Sequence, residues 1–299
     1  MVRSYSSLHE IACNAAMEPC ASHRAEADRL CSELRGLFCN NVDCFAYELE
    51  VKVFGSICNN THLPMSDSDI AVIPKGCAWS PRPGKGPTAS EVCDALAFRA
   101  ILLAFLKQRY GDRLCCEQRR AILLCGEGGR RQADIVVLIP RLWQYGTCPR
   151  CRRPQCSHGY ELRSTCDRQV PIATWPEQHR DNALTFDRQT DGCYKRVVRA
   201  AKALLRSEIG AFPEIAPCLP PVLIESLFAT VPVGIYRNAG PCPYAVVRAV
   251  LCNIHRAFLE NRARQFRELS GLRDLFDPVQ TWTIDRVHTD IAAMLRIIG

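Results

Sequence analysis

The sequence predicts an α+β chain: a mixed sheet backed by helices over residues 1–183, followed by a helical lobe over residues 184–299. Three observations predict it. Two apolar runs of strand length carry aspartates at their start or inside them, a period-two alternation leads into the first, and from about residue 184 onward apolar residues recur at three- and four-residue spacing. Strands then helices, rather than strict alternation of the two, is the α+β pattern. With 299 residues and 47% hydrophobic content the chain can bury a sizeable core in one large or two modest domains.

The elements follow in order. Leu8, Ile11, Ala15, Leu30, Leu34 and Leu37 keep helical spacing across residues 5–39, with a break near Pro19, so one or two helices precede the first strand and brace it. Tyr47, Leu49, Val51 and Val53 alternate, giving a strand that feeds Gly55 and Ser56. After a ten-residue spacer come Asp67 and Asp69, at the mouth of the run Ile70-Ala71-Val72-Ile73. The Pro- and Gly-rich stretch 80–87 is a loop, and Thr88 with Glu91 forms a capping box for a helix through about Arg109. Ala121-Ile122-Leu123-Leu124 and the run holding Asp134 are strands joined by the hairpin loop 126–129. The helical half holds segments 193–208, 221–230, 243–269 and 284–298.

An Asp-x-Asp on an extended strand aims both carboxylates to one side. Charges so close repel unless a cation shares them. Hard oxygen ligands that leave room for phosphate and water suit Mg²⁺. The Gly-Ser turn can bring backbone N–H groups to a phosphate, more so with a helix starting at Ile57. Taken singly, each aspartate reads equally as the end of a strand. Gly-Ser, Asp-x-Asp and Asp134 in order, each tied to an apolar run, read as an active site. On the helix at 193–208, Lys195, Arg199, Lys202 and Arg206 recur at spacings of four, three and four and form a basic stripe, either a solvated face or a phosphate contact.

Gly55-Ser56, the spacer, Asp67-x-Asp69 and the later Asp134 resemble the polymerase-β-like nucleotidyltransferases. WPEQHRDNALTFDRQTDGCYKRVVRAAKALL followed by PPVLIESLF is similar to the cyclic GMP-AMP synthase/DncV-like branch of bacterial anti-phage (CBASS) systems, the CD-NTases. The resemblance covers roughly residues 45–230 and implies a polymerase-β-like core with a C-terminal helical lobe and an active site in the cleft between them. It implies Asp67, Asp69 and Asp134 as catalytic ligands of two Mg²⁺ ions, Gly55 and Ser56 at the donor phosphates, Lys202 as the phosphate-binding lysine with Arg199 on the same helix, and Trp175, Pro176 and His179 at the link into the helical lobe. One departure stands out: where relatives place a Ser and Tyr before the later helix, this chain has Pro220, Pro221 and Val222, which leaves the base contact open. The implied activity joins nucleoside triphosphates, ATP, GTP or pyrimidine, into a cyclic di- or oligonucleotide second messenger with release of pyrophosphate. A downstream effector would act through the product, and a nucleic-acid activator and a regulatory protein partner stay open.

A second local signal is TCPRCRRPQCSHGYELRSTC, residues 147–166. Cys148 and Cys151 have zinc-knuckle spacing, and Cys156 with His158 or Cys166 can complete a tetrahedral set, a structural Zn²⁺ that would staple a polar loop. Nineteen cysteines in a chain with no secretory leader pattern read as buried small residues and metal ligands of a cytoplasmic protein rather than as disulfides. No apolar run reaches membrane-spanning length, so no membrane partner is expected. The net charge of +7 fits an anionic ligand without requiring nucleic acid. Transfer to an RNA or protein acceptor stays open as an alternative activity. So does an inactive nucleic-acid-binding module working through Arg150, Arg152 and Arg153.

Overall fold

The computed structural model describes residues 5–75, 94–128, 130–147, 150–166, 171–208, 219–278 and 280–298. The chain divides into two compact units that do not follow a single cut in the sequence. A sheet unit takes Ala21–Cys58 and Ser66–Pro176; a helical unit takes Met1–Cys20, Asn59–Met65 and Glu177–Gly299.

In the sheet unit, β1 (Leu49–Phe54), β2 (Ser68–Pro74), β3 (Cys115–Glu117), β4 (Ile122–Leu124) and β5 (Ala133–Val137) form one sheet of order β1-β2-β5-β4-β3. β2 and β5 run parallel and the remaining pairs antiparallel, a mixed sheet in which β4 and β5 pair as the expected hairpin requires. Alternation sorts its side chains. Ile70, Val72, Ile135 and Val137 join Leu34 and Phe38 of α2 (Ala21–Cys39) and Phe98, Leu102 and Leu106 of α4 (Ala95–Tyr110) in one core. Ala71, Ile73, Val136 and Leu138 face the other way, against Tyr160 and Leu162. Helix α4 begins at Ala95 with Asp94 as its N-cap, the carboxylate accepting from the backbone N–H of Leu96 at 2.9 Å and Ala97 at 3.4 Å. The expected capping box of Thr88 and Glu91 lies outside the described residues.

Within residues 147–166, Pro154–Leu162 form a strand rather than part of a loop. β6 (Ile139–Thr147), β7 (Pro154–Leu162) and β8 (Ile172–Thr174) form a second, three-stranded antiparallel sheet, with Leu142 opposite His158 and Gln144 opposite Cys156. Backbone pairing, and Tyr160 and Leu162 packing on the first sheet, give this stretch the order that the cysteine spacing ascribed to a metal.

In the helical unit, α6 (Cys193–Glu208) is central, burying Tyr194, Val197, Val198, Ala201 and Leu204. Around it lie α1 (Tyr5–Ala16), α7 (Pro221–Ala229), α8 (Val233–Asn238) and α9 (Pro243–Leu259), with α10 (Ile284–Ile298) on α9 and α5 (Pro176–Gln189) leading into the bundle. The two N-terminal helices therefore part company at the Pro19 break: α2 braces the sheet as expected, whereas α1 packs on α6 and α9. Among the described residues no helix is long and apolar enough to cross a membrane.

Candidate active site

Pairing register sets Asp69 beside Asp134, although the carboxylates of Asp67, Asp69 and Asp134 do not all close to within 4.8 Å of one another. Asp69 is directly opposite Asp134 on the parallel β2-β5 ladder, and Asp67 precedes Asp69 by two residues. Because Ala71 and Val136 point away from the helix-covered face, Asp69 and Asp134, two positions earlier, emerge on that same side at the beginning of their strands. Burial, then the neighbouring Asp67 charge, pushes the Asp134 carboxyl above the usual carboxylate range. Its Oδ1 is buried with no hydrogen-bond partner. Asp67 is steadied by Gln132, whose Nε2 donates to Oδ2 at 3.1 Å. A buried acceptor without a donor, between acidic neighbours and with only oxygen ligands, fits a hard divalent cation.

Gly55 closes the site from the side. It follows Phe54, the residue paired with Asp69, and opens the short helix α3 (Gly55–Cys58) at φ +66°. A Cβ there would lie 2.1 Å from Oδ2 of Asp69, so only glycine allows that carboxylate its position. Gly55→Ala is expected to cost about 1–2 kcal/mol of stability through its left-handed backbone. It should also cost much more activity than that loss explains, because Asp69 must rotate away. Thermal melts and product formation on the same preparation check this, and unchanged activity would dissociate Gly55 from the carboxylate.

Arg199 and Lys202 do not form an exposed basic stripe. Arg199 is 1% exposed and caps α1: Nη2 donates to Ala16 O at 2.8 Å, Nε to Ala15 O at 3.3 Å, and Nη1 to Asn60 O at 2.7 Å. The last carbonyls of a helix lack partners and carry the negative end of its dipole, so a buried guanidinium satisfies both. Lys202 donates to Glu225 Oε1 at 2.6 Å and to Thr61 O and Oγ1 at 3.2 Å each. Both cations expected at phosphate are thus committed to internal acceptors. The residue that spacing alone missed is Glu225, which also accepts from Thr61 Oγ1 at 2.6 Å and Asn59 Nδ2 at 3.0 Å, with His179 Nε2 2.8 Å from Oε2. Burial alone would raise its carboxyl, but Lys202 and His179 outweigh that and hold it well below the usual carboxylate range. Trp175 is a buried packing residue, its ring 6.4 Å from that of Trp143. Pro220 and Pro221 begin α7.

The described members of the expected zinc set do not converge. Cys148 lies outside the described residues, and Cys151, Cys156, His158 and Cys166 are exposed. Any four of the five would include three of these, yet among the described residues no three of them converge to ligand distance. Strand β7 explains part of this by fixing Cys156 and His158 in the hairpin ladder.

A mixed sheet with opposed aspartates beside a Gly-Ser turn, in a chain with a helical C-terminal half, is compatible with nucleotidyl transfer. Residues 181–299 match the family model described as the cGAS/DncV-like nucleotidyltransferase C-terminal helical domain. The chain is 26% identical over 241 residues to the cyclic GMP-AMP synthase CdnE03 of Staphylococcus schleiferi, covering 77% of this chain and 71% of that protein. It is 28% identical over 196 residues to the cyclic dipyrimidine nucleotide synthase CdnE of Legionella pneumophila, covering 61% of this chain and 63% of that protein. Its fold is that of Elizabethkingia meningoseptica CdnE cyclic dinucleotide synthase, solved with GTP and Apcpp, at a TM-score of 0.73, 18% identity and 99% coverage of both chains. The C-terminal helical half thus matches the cGAS/DncV-like family model, and the chain is similar in sequence to two bacterial cyclic nucleotide synthases.

Proposed function

We propose that the protein condenses nucleoside triphosphates into a cyclic di- or oligonucleotide in a Mg²⁺-dependent reaction that releases pyrophosphate, and that the product serves as a second messenger in anti-phage signalling. The observation that carries the chemistry is the opposition of Asp69 and Asp134 across the parallel ladder, with Asp67 near enough to raise the Asp134 carboxyl. Similarity to two bacterial cyclic nucleotide synthases supports the cyclic product. Asp67, Asp69 and Asp134 would hold two Mg²⁺ ions, which supply charge neutralisation at the phosphates and a lowered pKa for the attacking ribose hydroxyl. The chain's own part is placement. Asp67 is oriented by Gln132, Asp69 is seated by the missing side chain at Gly55, and Asp134 keeps an oxygen unspent by protein donors. The first N–H groups of the turn at Gly55 and Ser56 have no helical partners and can receive phosphate oxygens. Phosphoryl transfer needs little covalent help from protein beyond such positioning.

Incubating the purified protein with each pairing of labelled triphosphates and Mg²⁺, followed by phosphatase, tests this. A phosphatase-resistant cyclic product, absent with Asp67→Asn, is expected. No such product from the wild type in any pairing, or transfer only to an added RNA or protein acceptor, overturns it.

A further inference from the structure

His9, Cys13 and Cys242 stand in the helical unit and belong to none of the residue sets assigned above. Their side-chain nitrogen and sulfur atoms all lie within 4.8 Å of one another, the one such group of histidine, cysteine or acidic residues among the described residues. His9 and Cys13 are four apart on α1 and share one face of that helix. Cys242 comes from the residue before α9, where φ −75° and ψ 114° fit an N-cap, yet its side chain makes no capping bond to the helix. Its sulfur instead lies 3.2 Å from Nε2 of His9. Cys13 Sγ is 3.8 Å from both ring nitrogens. Pro241 and Pro243 flank Cys242 and Gly240 turns the chain at φ +84°, so the backbone that presents this sulfur is stiff. The Tyr244 ring, tilted 50° against His9 at 6.1 Å, walls the imidazole, and its hydroxyl donates to Ile298 O at 2.9 Å.

Those separations have a chemical meaning. With Zn–S of about 2.3 Å and Zn–N of about 2.0–2.1 Å in tetrahedral geometry, a sulfur and a nitrogen bound to the same ion stand roughly 3.5 Å apart. The observed 3.2 and 3.8 Å straddle that value. A single thiol-imidazole hydrogen bond would account for one contact but gives no reason for a second thiol to turn in from another helix. Two thiolates and an imidazole are also soft enough to select zinc over the hard cations that suit the aspartate cluster. All three residues are half-buried, so a fourth position can be filled by water.

We propose that His9, Cys13 and Cys242 form a structural zinc site that clips α1 to the start of α9. The ion would close the Cys13 and Cys242 sulfurs onto the imidazole and fasten the N-terminal helix to the bundle. It shares no residue with the Cys148 to Cys166 segment or with the candidate Mg²⁺ carboxylates.

Metal analysis of protein purified without chelator and dialysed exhaustively is expected to find about one zinc per chain. Cys13→Ser and Cys242→Ser should each lose it, whereas Cys20→Ser and Cys151→Ser should keep it. Should the serine variants fail to fold, Co²⁺ added to zinc-stripped wild type gives a second readout: thiolate-to-cobalt charge-transfer and intense tetrahedral d–d bands, retained in His9→Cys. Absence of zinc together with absence of the cobalt bands overturns the site. So does zinc that survives both serine substitutions, zinc lost with Cys151→Ser, or a Cys13–Cys242 disulfide in the mass spectrum of the freshly purified protein.

Discussion

Asp134→Asn is expected to abolish cyclic product while leaving the protein folded and, without metal, more heat-resistant than the wild type. The activity loss follows from the charge of the site: the substitution removes one of three carboxylates that would hold the metal, and metal stabilisation of a phosphoryl transition state is worth several kcal/mol, about a thousand-fold or more in rate. The stability gain follows from the opposite direction of the same electrostatics. Burial and then Asp67 raise the Asp134 carboxyl above its ordinary value, so the folded protein releases this proton less readily than the unfolded chain. Both states are protonated in strong acid; above the unfolded value of roughly 3.9 the unfolded state gains by ionising, and the folded state loses stability as pH rises through that window. Asparagine takes this loss away. Melting curves at pH 7 with and without Mg²⁺ separate the two effects: Mg²⁺ should raise the wild-type midpoint and leave the variant's unchanged. A variant that retains product formation, or that gains as much from Mg²⁺ as the wild type, would remove Asp134 from the site.

Glu225→Ala is expected to have the largest effect on stability, about 3–5 kcal/mol, because it strands the buried ammonium of Lys202 without a counter-charge. For a chain of this size that is a fall in midpoint on the order of 10 °C. Thr61, Asn59 and His179 lose their acceptor at the same time, so the segment 59–65 loses its anchor within the helical unit. Glu225→Gln, which keeps an acceptor but not the charge, should fall between wild type and alanine, and pairing it with Lys202→Met should recover part of the loss. The pH dependence has the ordinary carboxylate sign. The Glu225 carboxyl is held below its unfolded value, so its contribution is present above roughly pH 4.3 and fades as pH falls below that toward the folded value. Thermal melts across that range check it, and an alanine variant melting within a degree or two of the wild type would show that Lys202 finds another partner.

The catalytic half was legible because its signals are local. Alternation along β2 puts Asp67 and Asp69 on one side, whereas the side that Asp134 shares with Asp69 follows from the β2-β5 register. Gly55 was legible as a turn; that its missing Cβ makes room for Asp69 depends on strand register. The stripe on α6 misled for a related reason. Helical periodicity shows which residues share a face, not what covers that face, and the partners of Arg199 and Lys202 come from the end of α1, from residues 60–61 and from Glu225. The cysteine run at 147–166 reads as a loop because spacing carries no information on the β-ladder over Pro154–Leu162, whose alternation is diluted by Arg, Pro and Ser.

Residue order alone carried the α+β class, the Gly-Ser turn, the strand that holds Asp69 and the helical C-terminal half, since each rests on periodicity or spacing within a few residues. Three-dimensional packing settled where long-range partners meet: α1 with α6 rather than with the sheet, Lys202 with Glu225 rather than at a surface, and two cysteines of distant helices beside one histidine. Such pairings are set by which buried charges and carbonyl ends must be satisfied once the core has closed, a condition on the whole fold that no local window contains.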